Sequence, residues 1–375
     1  MIRALFIVLT TSLVATTATA QDSATTIARR AAGQLEAAQA ALKAADKASD
    51  RVRALTQTIR AYENGLTALR EGLRRAAIRE ASLSRAFEAK RDRVSRLLGV
   101  LQSIGTSPTP LLLLHPSGPI GTARSGMIVA GLTPALQTEV ETLKAELQEI
   151  ALLRALQDSA ADSLRVGLAG VQQARTELSQ AVSNRSDLPE RYLADPEALI
   201  RLMEGTETLE GFAKGLANLD RTGAAAPGPD FEQARGGLAL PVAGTVLRRA
   251  GEADAAGIVR PGIVVATAPR ALVTTPWAAT IRYLGPLLDY GNVMILEPDD
   301  RYLLVLAGLD QVYGAPGQVL PAGAPVGLMG GSAPPTDVFL MQNANQAGAE
   351  RSETLYMELR QGGQPVDPAD WFAFQ

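Results

Sequence analysis

A chain of 375 residues with one histidine, His115, and no cysteine has few routes to chemistry. Zinc prefers imidazole and thiolate, and a hydrolytic zinc site usually holds three protein ligands plus a water. One histidine cannot build that site. Serine or cysteine nucleophiles activated by histidine fail on the same count. Carboxylate pairs of the glycosidase kind need no histidine, yet among 39 acidic residues a pair that could meet carries no information. His115 follows Leu111, Leu112, Leu113 and Leu114 and precedes Pro116, the setting of a loop or partly buried side chain rather than a ligand. Tyr356, Glu358 and Arg360 alternate along one strand-like stretch, so they share a face and can pair across a sheet. The composition therefore predicts no metal, no cofactor and no histidine- or cysteine-dependent catalytic site, and leaves carboxylate pairs open.

The elements that would position any site fall into three parts. Residues 1–20 read as a secretory signal: Arg3 supplies the charge, residues 4–14 the apolar stretch, and Ala18-Thr19-Ala20 a cleavage site after Ala20. The apolar stretch is short for a bilayer, which predicts an exported protein without direct membrane insertion. Formal charge is only −3, which argues against nucleic acid as a partner. Without cysteine, the exported fold needs a core that stands without disulfides.

Residues 21–190 predict a long antiparallel coiled-coil hairpin. Val52, Leu55, Ile59, Tyr62, Leu66, Leu69, Leu73 and Ala76 alternate spacings of three and four, and the register continues to Ile104. So narrow a stripe needs a partner helix. Leu136, Val140, Leu143, Leu147 and Ile150 begin a second seam, and Leu164, Leu168, Val171, Leu178 and Val182 extend it after a phase slip. The tip loop, 105–126, carries Leu111, Leu112, Leu113 and Leu114, an apolar run suited to docking.

A short amphipathic helix is expected over 195–220, starting at Asp195-Pro196-Glu197. Its leucines and Phe212 need burial, and its glycines make it dependent on a docking surface. Residues 221–237, rich in Gly, Ala and Pro, read as a linker. From 238 to 375 short β-prone runs punctuated by Gly and Pro predict a compact all-β domain.

Here a resemblance becomes specific. Leu240-Pro241-Val242-Ala243-Gly244, residues 257–267, Thr275-Pro276-Trp277, Tyr290-Gly291-Asn292, residues 315–331, 354–360 and 366–371 resemble, in order, the segments of a LytM zinc-peptidase domain of the duplicated-hybrid-motif kind. In active relatives two positions of the first segment, two of the closing strand and one further histidine serve the metal or the reaction. The matching places here are Arg260, Val264, Thr354, Tyr356 and Gly308. The pattern resembles the EnvC-type murein hydrolase activators, with a degenerate LytM domain that is not an enzyme. The resemblance implies activation of a periplasmic N-acetylmuramoyl-L-alanine amidase in cell division and septal wall splitting. It further implies an amidase-binding groove at Arg260, Tyr356, Glu358 and Arg360, and coil-tip docking to FtsX of the FtsEX complex through the four leucines. The helix carrying Leu202, Phe212 and Leu216 is implied to be autoinhibitory. The alternative is a periplasmic adaptor of an efflux or secretion system, disfavoured because nothing strand-like precedes Ile27.

Overall fold

The computed structural model describes residues 33–45, 47–90, 118–185, 188–191, 196–219, 230–332 and 353–373, with isolated positions between 92 and 99. The signal segment and the four leucines of the tip loop lie outside the described residues. The described residues divide into two compact units, those of 69–164 and the remainder.

Helices account for the amino-terminal part. Residues 33–43 are helical, then α1 runs Ala48–Ala89 and α2 Gly118–Ser183. The continuous register expected from residue 27 is interrupted at residues 44, 45 and 47, which are not helical. Within the smaller unit, Lys90 pairs with Glu146, Arg79 with Glu149 and Arg154 with Glu80, at 2.7–3.0 Å. Such exposed pairs contribute about 0–1 kcal/mol each. Leu73 and Ile150 are buried here. Val140 and Leu147 are exposed instead of seated in the seam. The inward positions of α2 are Leu143 and Ile150, one heptad apart, so the buried stripe there is narrower than the apolar pattern.

Within the larger unit, Val52, Leu55, Ile59, Val171 and Leu178 are buried as the heptad pattern requires. The base of α1 also meets the β domain. Glu63 accepts from the Leu272 amide at 3.0 Å and from Arg175 at 2.9 Å, Arg60 donates to the Thr274 hydroxyl, and Ser179 bonds the Tyr313 hydroxyl at 3.0 Å. After α2, residues 188–191 extend along the sheet, with the Arg191 amide donating to the Gly317 carbonyl and the Val319 amide to that of Pro189.

The β domain is one antiparallel sheet of ten strands: β1 Gly244–Arg248, β2 Ile263–Thr267, β3 Leu272–Thr274, β4 Ala279–Pro286, β5 Asn292–Asp299, β6 Tyr302–Val312, β7 Val319–Leu320, β8 Pro325–Met329, β9 Glu353–Gln361 and β10 Gln364–Val366. Its order is β1-β2-β9-β6-β5-β4-β7, with β10 on β9, and β3 on β8, which joins β6. Alternation assigns the two faces. Ile263, Val265, Met294, Leu296, Leu304, Leu306, Leu355 and Met357 enter one core with Trp371 and Phe231. Phe231 stacks on Trp371 at 4.7 Å, so residues 230–237 belong to this domain and are not free linker. Their neighbours along each strand, among them Val293, Ile295, Leu303, Val305, Ala307 and Tyr356, form the opposite face and a second core.

What covers that second face is the helix expected at 195–220, which is two helices: α3 Pro196–Gly205 and α4 Leu209–Ala217. Thr208 caps α4 by accepting from the Gly211 amide, which ends the continuous helix and starts a new one. Gly215 lets the pair close, since a β-carbon there would lie 2.3 Å from a Leu202 methyl.

Candidate functional site

The opposite face of the sheet brings together the positions that the motif comparison singled out. β2 and β9 align Val264 with Tyr356 and Ala266 with Thr354, while β6 sets Ala307 against Tyr356. Gly308 adjoins the same place, where a β-carbon would lie 2.7 Å from the Thr354 carbonyl oxygen and φ is +93°. That backbone admits no larger residue without strain. Arg260 stands at the end of this patch, its guanidinium 5.8 Å from the centre of the Tyr290 ring, which is itself 6.1 Å from Tyr356.

The polar groups are committed to one another. The Tyr356 hydroxyl receives the Gly262 amide at 3.2 Å and donates to Glu358 at 2.7 Å. Glu358 in turn pairs with Arg360, whose remaining donors hold the Gly363 carbonyl at 2.7 and 3.2 Å. Burial, and then the neighbouring Glu358 carboxylate, push the Tyr356 phenol far above its ordinary value, so it stays protonated. Tyr356, Glu358 and Arg360 are 7 %, 3 % and 1 % exposed. In this arrangement they form an internal ladder and offer no side chain to a partner. Arg260, of the four groove residues, reaches the surface in part. The physical reason is the second core: a face covered by helices turns polar strand residues inward, where they must satisfy one another.

Helix α4 seals this face. Leu209, Phe212 and Leu216 are buried against Tyr283, Leu287, Val293, Ile295, Leu303 and Val305, with Leu199 and Leu202 of α3 alongside. Phe212 meets Tyr283 edge-on at 4.9 Å. Arg282, buried in β4, donates to the Leu216 and Leu219 carbonyls at 3.2 and 3.4 Å and pairs with Glu297 at 3.1 Å. A cation on the last carbonyls complements the helix C-terminus. Arg191 approaches the same Glu297 at 4.0 Å. Of the residues singled out from sequence, Phe212 and Leu216 are buried anchors and Leu202 lies beside them partly buried; Arg282 and Glu297 were missed, since nothing in their local pattern distinguishes them.

A surface hollow of about 460 Å³ lies elsewhere, beside Glu232, Arg235, Tyr302 and Trp371. Its polar groups are internally paired, Tyr302 with Glu232 and Arg235 with Asp370. It includes none of the positions above.

With this geometry in view, comparison with known proteins is informative. Peptidase family M23 matches residues 259–368. That stretch is an M23 (LytM) domain. An uncharacterized protein of Neisseria meningitidis serogroup B is 28 % identical over 141 residues, 38 % of this chain and 21 % of the relative. The chain thus spans about a fifth of the length of the curated relative it matches. A zinc-containing peptidase from Vibrio cholerae is similar at 19 % identity over 35 % of this chain and 39 % of its own, with a TM-score of 0.28. A putative M23 peptidase from Pseudomonas aeruginosa is similar at 16 % identity over 47 % and 62 %, with a TM-score of 0.30.

Zinc, which the LytM resemblance implies for active relatives, does not fit the residues present. Arg260 is a cation, Val264 a hydrocarbon, Gly308 has no side chain and the Tyr356 oxygen is bound to Glu358 and Gly262. Thr354 is exposed and supplies only a neutral hydroxyl. Among the described residues no group of three or more His, Cys, Asp or Glu is placed to hold a metal. No reaction step is assigned to this face.

Proposed function

We propose that this chain is an exported, non-catalytic activator of periplasmic peptidoglycan amidases, of the EnvC type, working in septal wall splitting. The observation that carries the reading is the sheet face of the M23 domain, where Arg260, Val264, Gly308, Thr354 and Tyr356 replace a ligand set and where Val264 and Tyr356 share a core with α3 and α4. A face that keeps the frame of a cell-wall peptidase, is filled by an internal Tyr–Glu–Arg ladder and is covered by amphipathic helices suits regulated protein binding better than hydrolysis. In this reading the helices restrain the M23 domain, α1 and α2 form the coiled-coil hairpin that docks through its tip on FtsX of the FtsEX complex, and release of the helices frees the face for an N-acetylmuramoyl-L-alanine amidase.

The test is dye release from labelled cell wall by the full chain, by a purified periplasmic amidase from the same organism, and by both together. No release by the chain alone, and amidase stimulation that rises when Phe212 and Leu216 are replaced by alanine, support the reading. Wall hydrolysis by the chain alone, or no stimulation by either form, refutes it.

A further inference from the structure

The hollow beside Trp371 lies on the side of the sheet away from the motif positions: Tyr302 and Trp371 belong to the first core, whereas Val264 and Tyr356 belong to the second. It is a separate place with its own walls. One wall is the short 3-10 turn Phe231–Ala234, which presents Glu232 and Arg235, and another is the turn Pro368–Asp370, which Asp367 caps and Trp371 follows. Tyr302, at the start of β6, and Gln361, at the end of β9, also line it. Phe231 stacks on Trp371 and Tyr302 meets Trp371 edge-on at 5.0 Å, so the aromatic floor is fixed. At about 460 Å³ the hollow falls within the range of small-ligand pockets, about 300–1,000 Å³.

Two features ask for an occupant. The first is an unanswered donor. Trp371 is 3 % exposed and lines this hollow, and its indole N–H makes no hydrogen bond among the described residues. Buried indole N–H groups ordinarily find an acceptor, and the group can only donate. The second is charge. Glu232, Asp367 and Asp370 line the hollow against Arg235 alone, three carboxylates to one guanidinium, which leaves two negative charges in excess. Arg235 is taken by Asp370 at 2.6 Å. Tyr302 and Arg301 both approach the same oxygen of Glu232, Oε1, at 2.8 and 3.3 Å, so Oε2 has no bonded partner among the described residues. Asp367 accepts the Ala369 amide through Oδ1 at 2.8 Å and enters no ion pair among the described residues.

Several ligand classes fail these conditions. An anion is opposed by the excess carboxylates, and a neutral sugar leaves that charge unanswered. A bare metal ion lacks a cage, since among the described residues no three of His, Cys, Asp or Glu are placed to hold one. An ammonium on a flexible stem needs no fixed cage, because its three donors rotate to meet carboxylates where they stand. An amide carbonyl a few bonds away then answers the indole N–H. We propose that this hollow binds a short peptide bearing a side-chain amine, its ammonium held by Asp367 and the free oxygen of Glu232 and a backbone carbonyl accepting from Trp371. The site stands apart from the activator reading and does not depend on it.

The experiment follows the indole N–H itself. The chain has two tryptophans, so the isotope-labelled full chain gives two indole signals by heteronuclear NMR, and a Trp277→Phe variant identifies that of Trp371. The probe is acetyl-Gly-Lys-Gly-amide, compared with the same peptide acetylated on the lysine Nζ, a comparison that needs no variant at all. Asp367→Asn keeps the capping oxygen while removing the charge, and Glu232→Gln keeps an acceptor for Tyr302; circular dichroism melts establish that each is folded. Expected is a saturable shift of the Trp371 signal with that of Trp277 unmoved. Binding should weaken about tenfold or more, the equivalent of one charge-assisted hydrogen bond, for the acetylated peptide and for each folded variant. No shift at millimolar peptide overturns the proposal. So does a shift that acetylation of the peptide leaves unchanged, or one that both folded variants leave unchanged. A Trp371 shift produced by a chito-oligosaccharide or by calcium chloride, and not by the lysine peptide, reassigns the hollow and overturns it too. Each of these outcomes leaves the activator reading where it stands.

Discussion

Replacing Phe212 with alanine should uncover the M23 face. Phe212 is fully buried, packs edge-on against Tyr283 and belongs to α4, whose other large anchors are Leu209 and Leu216. Truncating a buried phenylalanine costs about 3–5 kcal/mol. Because Tyr283, Val293 and Ile295 stay in the sheet, most of that cost falls on the docking of the helix rather than on the strands. Every 1.4 kcal/mol is tenfold, so about 3 kcal/mol shifts the closed-to-open ratio by roughly 150-fold. A cover closed roughly 99 parts in 100 then becomes more than half open. Hydrogen exchange reads this directly: amides of residues 211–217 in α4 should lose about two logarithms of protection, while those of β6 and β9 hold theirs. The two tryptophans, Trp277 and Trp371, pack with the other core, so their fluorescence should not change and serves as a check on folding. Amidase stimulation should rise in parallel. Unchanged protection in α4 would refute the reasoning, as would reduced stimulation by a folded variant, and α4 would then be structural.

Glu297→Gln should destabilise the domain by at least about 3 kcal/mol in urea unfolding, because it removes the carboxylate facing buried Arg282 and Arg191. Gly308→Ala should lower the melting temperature through a positive φ and a 2.7 Å approach to the Thr354 carbonyl, at a cost above about 1 kcal/mol. Tyr302, pushed up to about 12 by burial and by its bond to Glu232, binds its proton more tightly when folded than unfolded. Its contribution is therefore fully present below pH 10 and lost as pH rises toward 12, so Tyr302→Phe should flatten the alkaline limb of a stability–pH profile. Metal analysis of the purified chain should find no bound zinc, and about one tightly held zinc per chain would overturn the activator reading.

Much of the β domain was legible because its strands obey a period of two and are separated by glycine and proline. All ten strands, β1 to β10, fall within the stretch 238–375 where such runs were expected. β1 gives a weaker signal, since an edge strand with Thr245 and Leu247 exposed shows no apolar alternation. Phe231 was assigned to a linker because its surroundings are glycine, alanine and proline, yet its partner Trp371 is 140 residues away in sequence. The apolar anchors Phe212 and Leu216 could be read from helical spacing. The inward turn of Tyr356, Glu358 and Arg360 could not, since strand alternation says which residues share a face and not whether that face is covered. In α2 the heptad placed Val140 and Leu147 inward, but a 3.6-residue helix drifts against a seven-residue repeat, and the buried stripe runs through Leu143 and Ile150.

The close approach of Gly308 to the Thr354 carbonyl has a consequence for ancestry and for engineering. Side chains at 260, 264, 354 and 356 can be exchanged one codon at a time. Position 308 cannot follow them, because the main chain itself has settled into a conformation that leaves no room for a β-carbon. A histidine there would meet both the positive φ and the Thr354 carbonyl. Grafting histidines at 260, 354 and 356 and an aspartate at 264 would assemble the appearance of an active centre around a missing fifth member. A designer seeking hydrolysis from this frame would have to rebuild a strand, and a lineage carrying it has crossed a step that point mutation does not readily reverse.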